Sequence, residues 1–284
     1  MRIIDTSDTI FNAYVNGEFN LDKWQKYMDK ALPNIKELCL EDMKEVIKAG
    51  YSYEECFLPI LNKVYKDQDK YQEALKSFRL VIKDLDQKLI KRFGRTVDAD
   101  IILYLGLGNG AGWVIDINNR ITILLGIEKI IELDWVSTQS MNALILHELG
   151  HAYQDQYGNP HPKLDTLRDE FIWQLFTEGI AMVFEQEILN NPNSYHQYDD
   201  KWREWCQDNL DIIKQSFYQD IDTMTHDNQS YFGDWVKFRG YGDTGYYLGT
   251  QFVRYVMNYD SFDNIINYDI KTVKDYFERY MKEA

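Results

Sequence analysis

The sequence predicts an α+β fold in which a small antiparallel or mixed β-sheet lies within a mostly helical chain of 284 residues. Three observations support it. Apolar residues recur at helical spacing from about residue 21 to residue 93, the period becomes that of strands from Asp98 to about Glu128, and helical spacing returns from about Val136. We therefore predict a helical N-terminal region (1–95) and a second region (96–284), with one continuous domain as the alternative.

The N-terminal region contains three apolar runs with helical spacing. They cover Leu38–Ile47, Leu58–Tyr65 and Leu75–Ile90, and the last run leads to Gly94, where a glycine C-cap fits. None of these runs contains a recognisable catalytic or metal-binding motif. The region is therefore predicted to be a helical subdomain.

Three short runs with strand character follow, at Ile101–Leu105, Trp113–Ile117 and Arg120–Leu125. The pair Asn118-Asn119 predicts a type I′ turn between the last two runs. Four alternating glycines, from Gly106 to Gly112, separate the first two, but Ala111 stands where a dinucleotide-binding loop needs its third glycine. The pattern therefore predicts a β-meander with a glycine-rich turn.

Composition restricts the partners and the location. The formal net charge of −15 repels phosphate backbones and anionic membranes, so neither nucleic acid nor a membrane is a predicted partner. No apolar stretch approaches the roughly 20 residues that a membrane span requires, and no signal-peptide pattern opens the chain. Three scattered cysteines, Cys39, Cys56 and Cys206, are typical of reduced thiols. We expect a cytoplasmic protein; the sequence does not predict its oligomeric state.

The motif that carries chemistry is His147-Glu148-Leu149-Gly150-His151, within a segment predicted to be helical from Ser137 to Tyr157. Residues four apart lie on one face of a helix, so His147 and His151 can bind one metal ion. Glu148 lies beside them and can take a proton from water at an open coordination position. In a chain of this composition about 0.005 such motifs are expected by chance.

A catalytic zinc ion needs a third protein ligand, and no further histidine follows closely after His151. A glutamate from the next helix would complete the set. The segment from about Thr166 to Leu189 is predicted to be that helix, and it contains both Glu170 and Glu178.

The H-E-L-G-H segment, followed by a helix containing W-x-x-x-x-E-G-x-A, resembles the gluzincin metallopeptidases of the thermolysin and M1-like clan. It is especially similar to the small bacterial branch of predicted zinc-dependent proteases. This resemblance implies a zincin-like fold and Zn²⁺ held by His147, His151 and Glu178. Glu178 follows His151 by 27 residues; Glu170, at 19 residues, fits the usual separation of the family better but lacks the E-G-x-A surroundings. Glu178 is favoured and Glu170 remains the alternative.

The resemblance extends to Tyr246-Tyr247-Leu248-Gly249, at the start of an apolar helix. M1-type enzymes carry a tyrosine three residues before a glycine there, and Tyr246 matches this position as the donor to the oxyanion, with Tyr247 as the second choice. The resemblance also implies that the segment Thr122–Glu128 is an edge strand that binds extended peptide. The G-x-M-E-N sequence of M1 aminopeptidases is absent, so aminopeptidase specificity is not implied.

We therefore expect zinc-dependent hydrolysis of peptide bonds in a peptide or protein substrate, with Glu148 as the general base. The alternative is a catalytically silent protein that binds zinc and peptide for regulation. A third possibility is that the motif is accidental and the N-terminal helices mediate an interaction. The remaining histidines, His161, His196 and His226, are expected at the surface, and His226 is a second candidate for contact with the oxyanion.

Overall fold

A computed structural model of the chain describes residues 1–195, 200–233 and 235–283, and of Asp200 it describes the backbone only. The structure is a mixed α+β fold, as predicted, with a small sheet and many helices. Its contacts divide the chain into two compact units, Met1–Glu148 and Leu149–Ala284. The boundary predicted at residues 95–96 remains a prediction.

The first unit contains a four-stranded sheet, a separate two-stranded sheet and the N-terminal helices. Its strands are β1 (Arg2–Asp5), β2 (Tyr14–Val15), β3 (Glu18–Phe19), β4 (Asp100–Tyr104), β5 (Gly112–Asp116) and β6 (Ile121–Gly126), and the two-stranded sheet consists of β2 and β3. Its helices are α1 (Ser7–Ile10), α2 (Leu21–Ala31), α3 (Pro33–Lys48), α4 (Leu58–Lys66), α5 (Gln68–Val81), α6 (Leu85–Phe93) and α7 (Ile127–Glu132), with a 3₁₀ turn at Phe11–Ala13 and a π-helical turn at Tyr53–Phe57. The division between the units falls inside α8 (Thr138–Tyr157).

The predicted helical region is largely confirmed, with two differences. The third apolar run forms two helices, α5 and α6, and α6 ends at Gly94, whose positive φ of 73° makes it the predicted C-cap. The region also contributes β1, which pairs in parallel with β4 in the register Arg2↔Asp100. Residues from both sides of the predicted boundary therefore share one sheet.

The predicted β-meander is wrong in its strand order. The four-stranded sheet has the order β1-β4-β6-β5, with β4 and β6 parallel and β5 antiparallel to β6. The hairpin from β5 to β6 has the predicted type I′ turn, since Asn118 and Asn119 have φ values of 56° and 59°. The strand that follows β4 in the chain, β5, does not pair with β4 but lies at the edge of the sheet. The next strand, β6, lies between β4 and β5.

The predicted edge strand is also wrong. The segment Thr122–Glu128 forms most of β6 and the start of α7, and β6 has neighbours on both sides. The continuous apolar run Ile123-Leu124-Leu125 is fully buried, which is typical of an interior strand. The outer strand on that side of the sheet is β5, which is only half-buried along most of its length.

The second unit is helical in its described part. Its helices, besides the second half of α8, are α9 (Leu167–Leu189), α10 (Asp200–Asp208), α11 (Leu210–Asp220), α12 (Thr244–Val256), α13 (Phe262–Ile265) and α14 (Ile270–Lys282). Its largest fully buried side chains are aromatic: Tyr153, Phe171, Phe176, Phe184, Phe217, Tyr231, Phe252 and Phe277. Residues 202–238 are rich in aromatic side chains, which supply part of this core, although Trp235 among them is 69% exposed.

Candidate metal centre

The helix α8 presents His147 and His151 together. Its first turn is capped by Ser137, whose Oγ accepts the backbone N–H of Ser140 at 3.1 Å. The two histidines are four residues apart in a continuous helix, so they lie on one face about 6 Å apart along its axis. Local sequence is sufficient to establish this part of the site.

The helix α9 supplies Glu178. It begins after Thr166, whose Oγ1 accepts the N–H of Asp169 at 3.1 Å, and it ends at Asn190 in the left-handed conformation. Both ends agree with the sequence prediction to within a residue. Glu178 therefore lies in the middle of a long, well-capped helix, where its backbone is held by helical hydrogen bonds on both sides.

Small residues let α8 approach α9 closely. A Cβ atom added at Gly150 would lie 2.7 Å from the Cα of Ala181 and 3.1 Å from its carbonyl oxygen. Real Cβ contacts are longer than this, so Gly150 cannot become alanine without separating the two backbones. The glycine of H-E-L-G-H, packed against the backbone of Ala181, thus permits the close spacing between the helix that carries His151 and the helix that carries Glu178.

A second close contact holds α9 against α12. A Cβ atom added at Gly179 would lie 2.2 Å from the carbonyl oxygen of Gly249, and one added at Gly249 would lie 2.4 Å from the carbonyl oxygen of Leu175. Both neighbours are backbone atoms, which cannot rotate out of the way. The glycine beside Glu178 is therefore required by packing against α12.

These helices bring His147, His151 and Glu178 together. One potential ligand atom from each of the three side chains lies within 4.8 Å of the others, and His151 Nε2 is 3.3 Å from Glu178 Oε2. Ligand atoms around a tetrahedral zinc ion are about 3.4 Å apart, so this pair already has a suitable separation. Within the described residues, no other set of three His, Cys, Asp or Glu side chains converges in this way. The three donors form a candidate metal centre.

The centre is partly accessible. His147 is buried, whereas the side chains of His151 and Glu178 are 22% and 15% exposed. Structural zinc sites are enclosed by four protein ligands, while catalytic sites use three and leave one position open. The three donors therefore form a group that solvent can reach at His151 and Glu178.

The alternative ligand Glu170 lies elsewhere on α9. It precedes Glu178 by eight residues, which is about 12 Å along the helix axis. Its Oε2 is 3.2 Å from His226 Nε2, and the side chains of His226 and Glu170 are 69% and 42% exposed. His226 also packs on the ring of Phe171, with the ring centroids 5.4 Å apart. The structure groups Glu178, and not Glu170, with the two histidines.

Glu148 lies against the outer strand of the sheet. Its side chain is 6% exposed, and a Cβ atom added at Gly112 would lie 2.4 Å from Glu148 Oε1 and 2.7 Å from its Cγ. Gly112 is the first residue of β5. The carboxylate of the predicted base therefore contacts the backbone of β5, and a side chain at position 112 would displace it.

The two candidate tyrosines have different surroundings at the start of α12. Tyr247 is buried beside Tyr195 and Trp202, with ring centroids at 5.4 and 6.1 Å, and burial raises the pKa of its phenol. Tyr246 is half-buried, with its ring 5.9 Å from that of Phe232. The second choice, Tyr247, is thus a core residue, and Tyr246 remains the candidate for contact with substrate.

The other histidines lie apart from this chemistry or outside the description. The side chain of His161 is 84% exposed, and its Nε2 is 3.5 Å from Asp155 Oδ1. His226 forms the exposed pair with Glu170 described above. His196 lies outside the described residues.

Sequence reasoning missed the contribution of three glycines to the site. Gly112, Gly150 and Gly249 have no side chain to act as a ligand or catalyst. Their contribution is close packing: Gly112 lies against Glu148, and the other two lie against the backbone of α9. A glycine inside a strongly helical pattern is unfavourable by itself, by about 1 kcal/mol relative to alanine. Gly150 and Gly249 both lie within predicted helices, so their unfavourable helix propensity could have indicated in the sequence that close packing requires a glycine there.

Within the described ranges, no helix combines the length and apolar character needed to cross a membrane. Comparisons with known protein families, with curated proteins and with solved structures find no match to the chain.

Proposed function

We propose that the chain is a zinc-dependent peptidase with a zincin-like fold of the gluzincin type. The observation that carries this proposal is the convergence of His147, His151 and Glu178, with Glu148 next in sequence to the first of them. Two imidazole nitrogens and one carboxylate are a donor set that suits Zn²⁺. The three donor atoms are close enough that small side-chain rotations would bring them to zinc-ligand separations.

The metal would be held by His147, His151 and Glu178. Bound there, Zn²⁺ supplies a Lewis acid that polarises a carbonyl group and lowers the pKa of water. Glu148 takes the proton from the water that attacks the peptide carbonyl, and it delivers that proton to the departing amine. Tyr246 donates a hydrogen bond to the negative charge that develops on the carbonyl oxygen.

The substrate is proposed to be an extended peptide or protein segment that adds to the outer edge of β5. This strand pairs with β6 on one side only, and its first residue contacts Glu148. A peptide hydrogen-bonded along this edge would run past the proposed base. This assignment replaces the one made from sequence, in which β6 was the edge strand.

We also propose a cytoplasmic location. Cys39, Cys56 and Cys206 are all free thiols, and two of them are buried. Unpaired cysteines are typical of a reducing compartment.

The test pairs two variants with different expected effects. His147→Ala should lose stoichiometric zinc, as measured by metal analysis of the purified protein. Glu148→Gln should keep zinc and lose cleavage of a mixed peptide library, as measured by mass spectrometry with and without chelator. Full turnover by zinc-loaded Glu148→Gln would refute the mechanism. Zinc binding without cleavage by the unmodified chain would favour the silent peptide-binding protein instead.

A further inference from the structure

Glu128 is a buried carboxylate that the proposed reaction does not use. It lies in the first turn of α7, is fully buried and is not a member of the metal-binding group. Its Oε2 accepts the backbone N–H of Gly106 at 2.9 Å, and its Oε1 accepts that of Gly108 at 3.0 Å. A buried carboxylate requires such partners. Both belong to the segment that connects β4 to β5.

The connecting segment is shaped around this carboxylate. A Cβ atom added at Gly106 would lie 2.5 Å from Glu128 Oε1, and Gly108 has a φ of +80°, which side chains rarely tolerate. Between these glycines and β5, Asn109 donates through Nδ2 to Asp42 Oδ2 at 2.7 Å. The alternating glycines of the sequence are therefore explained by close contact with Glu128 and by one left-handed residue.

The far end of the same segment reaches Glu148. The carbonyl oxygen of Ala111 accepts the N–H of Gly126 at 3.1 Å, and the next residue is Gly112, whose backbone contacts the Glu148 carboxylate. Only three residues separate Gly108 from Gly112. Because the connection is this short, a displacement of Gly108, where Glu128 holds the segment, is expected to move Gly112 as well.

Resting on the proposed function, we infer that Glu128 is a positioning residue: its two hydrogen bonds hold the connecting segment so that β5 meets Glu148 in the reactive arrangement. A glutamine at this position has one acceptor oxygen, and its amide group would face one of the two N–H donors. The segment would then shift at Gly106 or Gly108. A displacement of about 1 Å in a catalytic group can lower the rate about 100-fold.

The test compares Glu128→Gln with Glu132→Gln, a control one turn further along α7 whose carboxylate pairs with Lys129. The zinc-loaded proteins are assayed at pH 8 on the peptide of a mixed library that the unmodified chain cleaves best. Glu128→Gln should lower kcat/KM by about 10- to 100-fold. It should keep stoichiometric zinc, because His147, His151 and Glu178 are unchanged. Glu132→Gln should leave both kcat/KM and zinc content unchanged.

The outcomes separate positioning from a structural role. If Glu128→Gln lowers the melting temperature but leaves kcat/KM unchanged, the inference is overturned. If this variant does not fold or load zinc, Gly106→Ala decides, because its methyl group would displace Glu128 Oε1 from the connecting segment while the carboxylate itself is retained. Full activity of Gly106→Ala would also overturn the inference. Absence of any Glu148-dependent turnover by the unmodified chain would overturn the proposed function, and this inference with it.

Discussion

Replacing Gly179 with alanine should weaken both the fold and the metal centre. The added methyl group would lie 2.2 Å from the carbonyl oxygen of Gly249 and 2.8 Å from Val253 Cγ2. An ordinary contact starts near 3.4 Å, so α9 and α12 must separate by about 1 Å at this point. Glu178 is the neighbouring residue and moves with its helix.

Two opposing effects determine the size of the change in stability. Alanine is favoured over glycine in a helix by about 1 kcal/mol, so propensity alone would stabilise the variant. Overpacking against rigid backbone costs about 1–3 kcal/mol. The difference of the two terms is a net loss of about 0–2 kcal/mol in the free energy of unfolding. We also expect Gly179→Ala to weaken zinc binding about 10-fold or more, as when a residue that orients a metal ligand is lost.

The assay combines chemical denaturation of the metal-free protein with competition for zinc by a chelator. The matched control is Gly110→Ala, because a Cβ atom there has its nearest neighbour at an ordinary 3.4 Å. The control should keep its zinc affinity. If Gly179→Ala is as stable as the unmodified chain and binds zinc equally well, the reasoning from helix contact to metal site is refuted.

Three further predictions concern individual side chains. Glu178→Gln should lose stoichiometric zinc while Glu170→Gln keeps it, and metal analysis giving the reverse result would reassign the third ligand. Tyr246→Phe should lower kcat about 100-fold at unchanged zinc content, whereas Tyr247→Phe should change mainly thermal stability; equal kinetic effects would contradict this distinction. Burial raises the pKa of Glu128 to about 7 from an ordinary 4.5, so between these values the folded chain keeps a proton that the unfolded chain has released. The free energy of unfolding should therefore fall as pH rises from 4.5 to 7, by at most about 3 kcal/mol, and a Glu128→Gln variant with the same slope would contradict the assignment.

Much of the site is determined by local sequence. The pair His147 and His151 needs only a continuous helix to share a face, and the helix is indicated by its apolar period and its cap. The ends of α9 are likewise determined by Thr166 and Asn190, which act on neighbouring backbone groups. The type I′ turn at Asn118-Asn119 is determined in the same way. Each of these features depends on interactions among residues a few positions apart.

Other features were decided only by tertiary structure. Spacing along the chain left Glu170 and Glu178 as alternatives, and the close packing of α9 at Gly179 and Ala181 placed Glu178 with the histidines. The order of the sheet was predicted incorrectly because the three strand patterns do not state their partners. Strand order, helix separation and the hydrogen bonds of Glu128 all depend on which distant segments meet, and local periodicity contains no information about that choice.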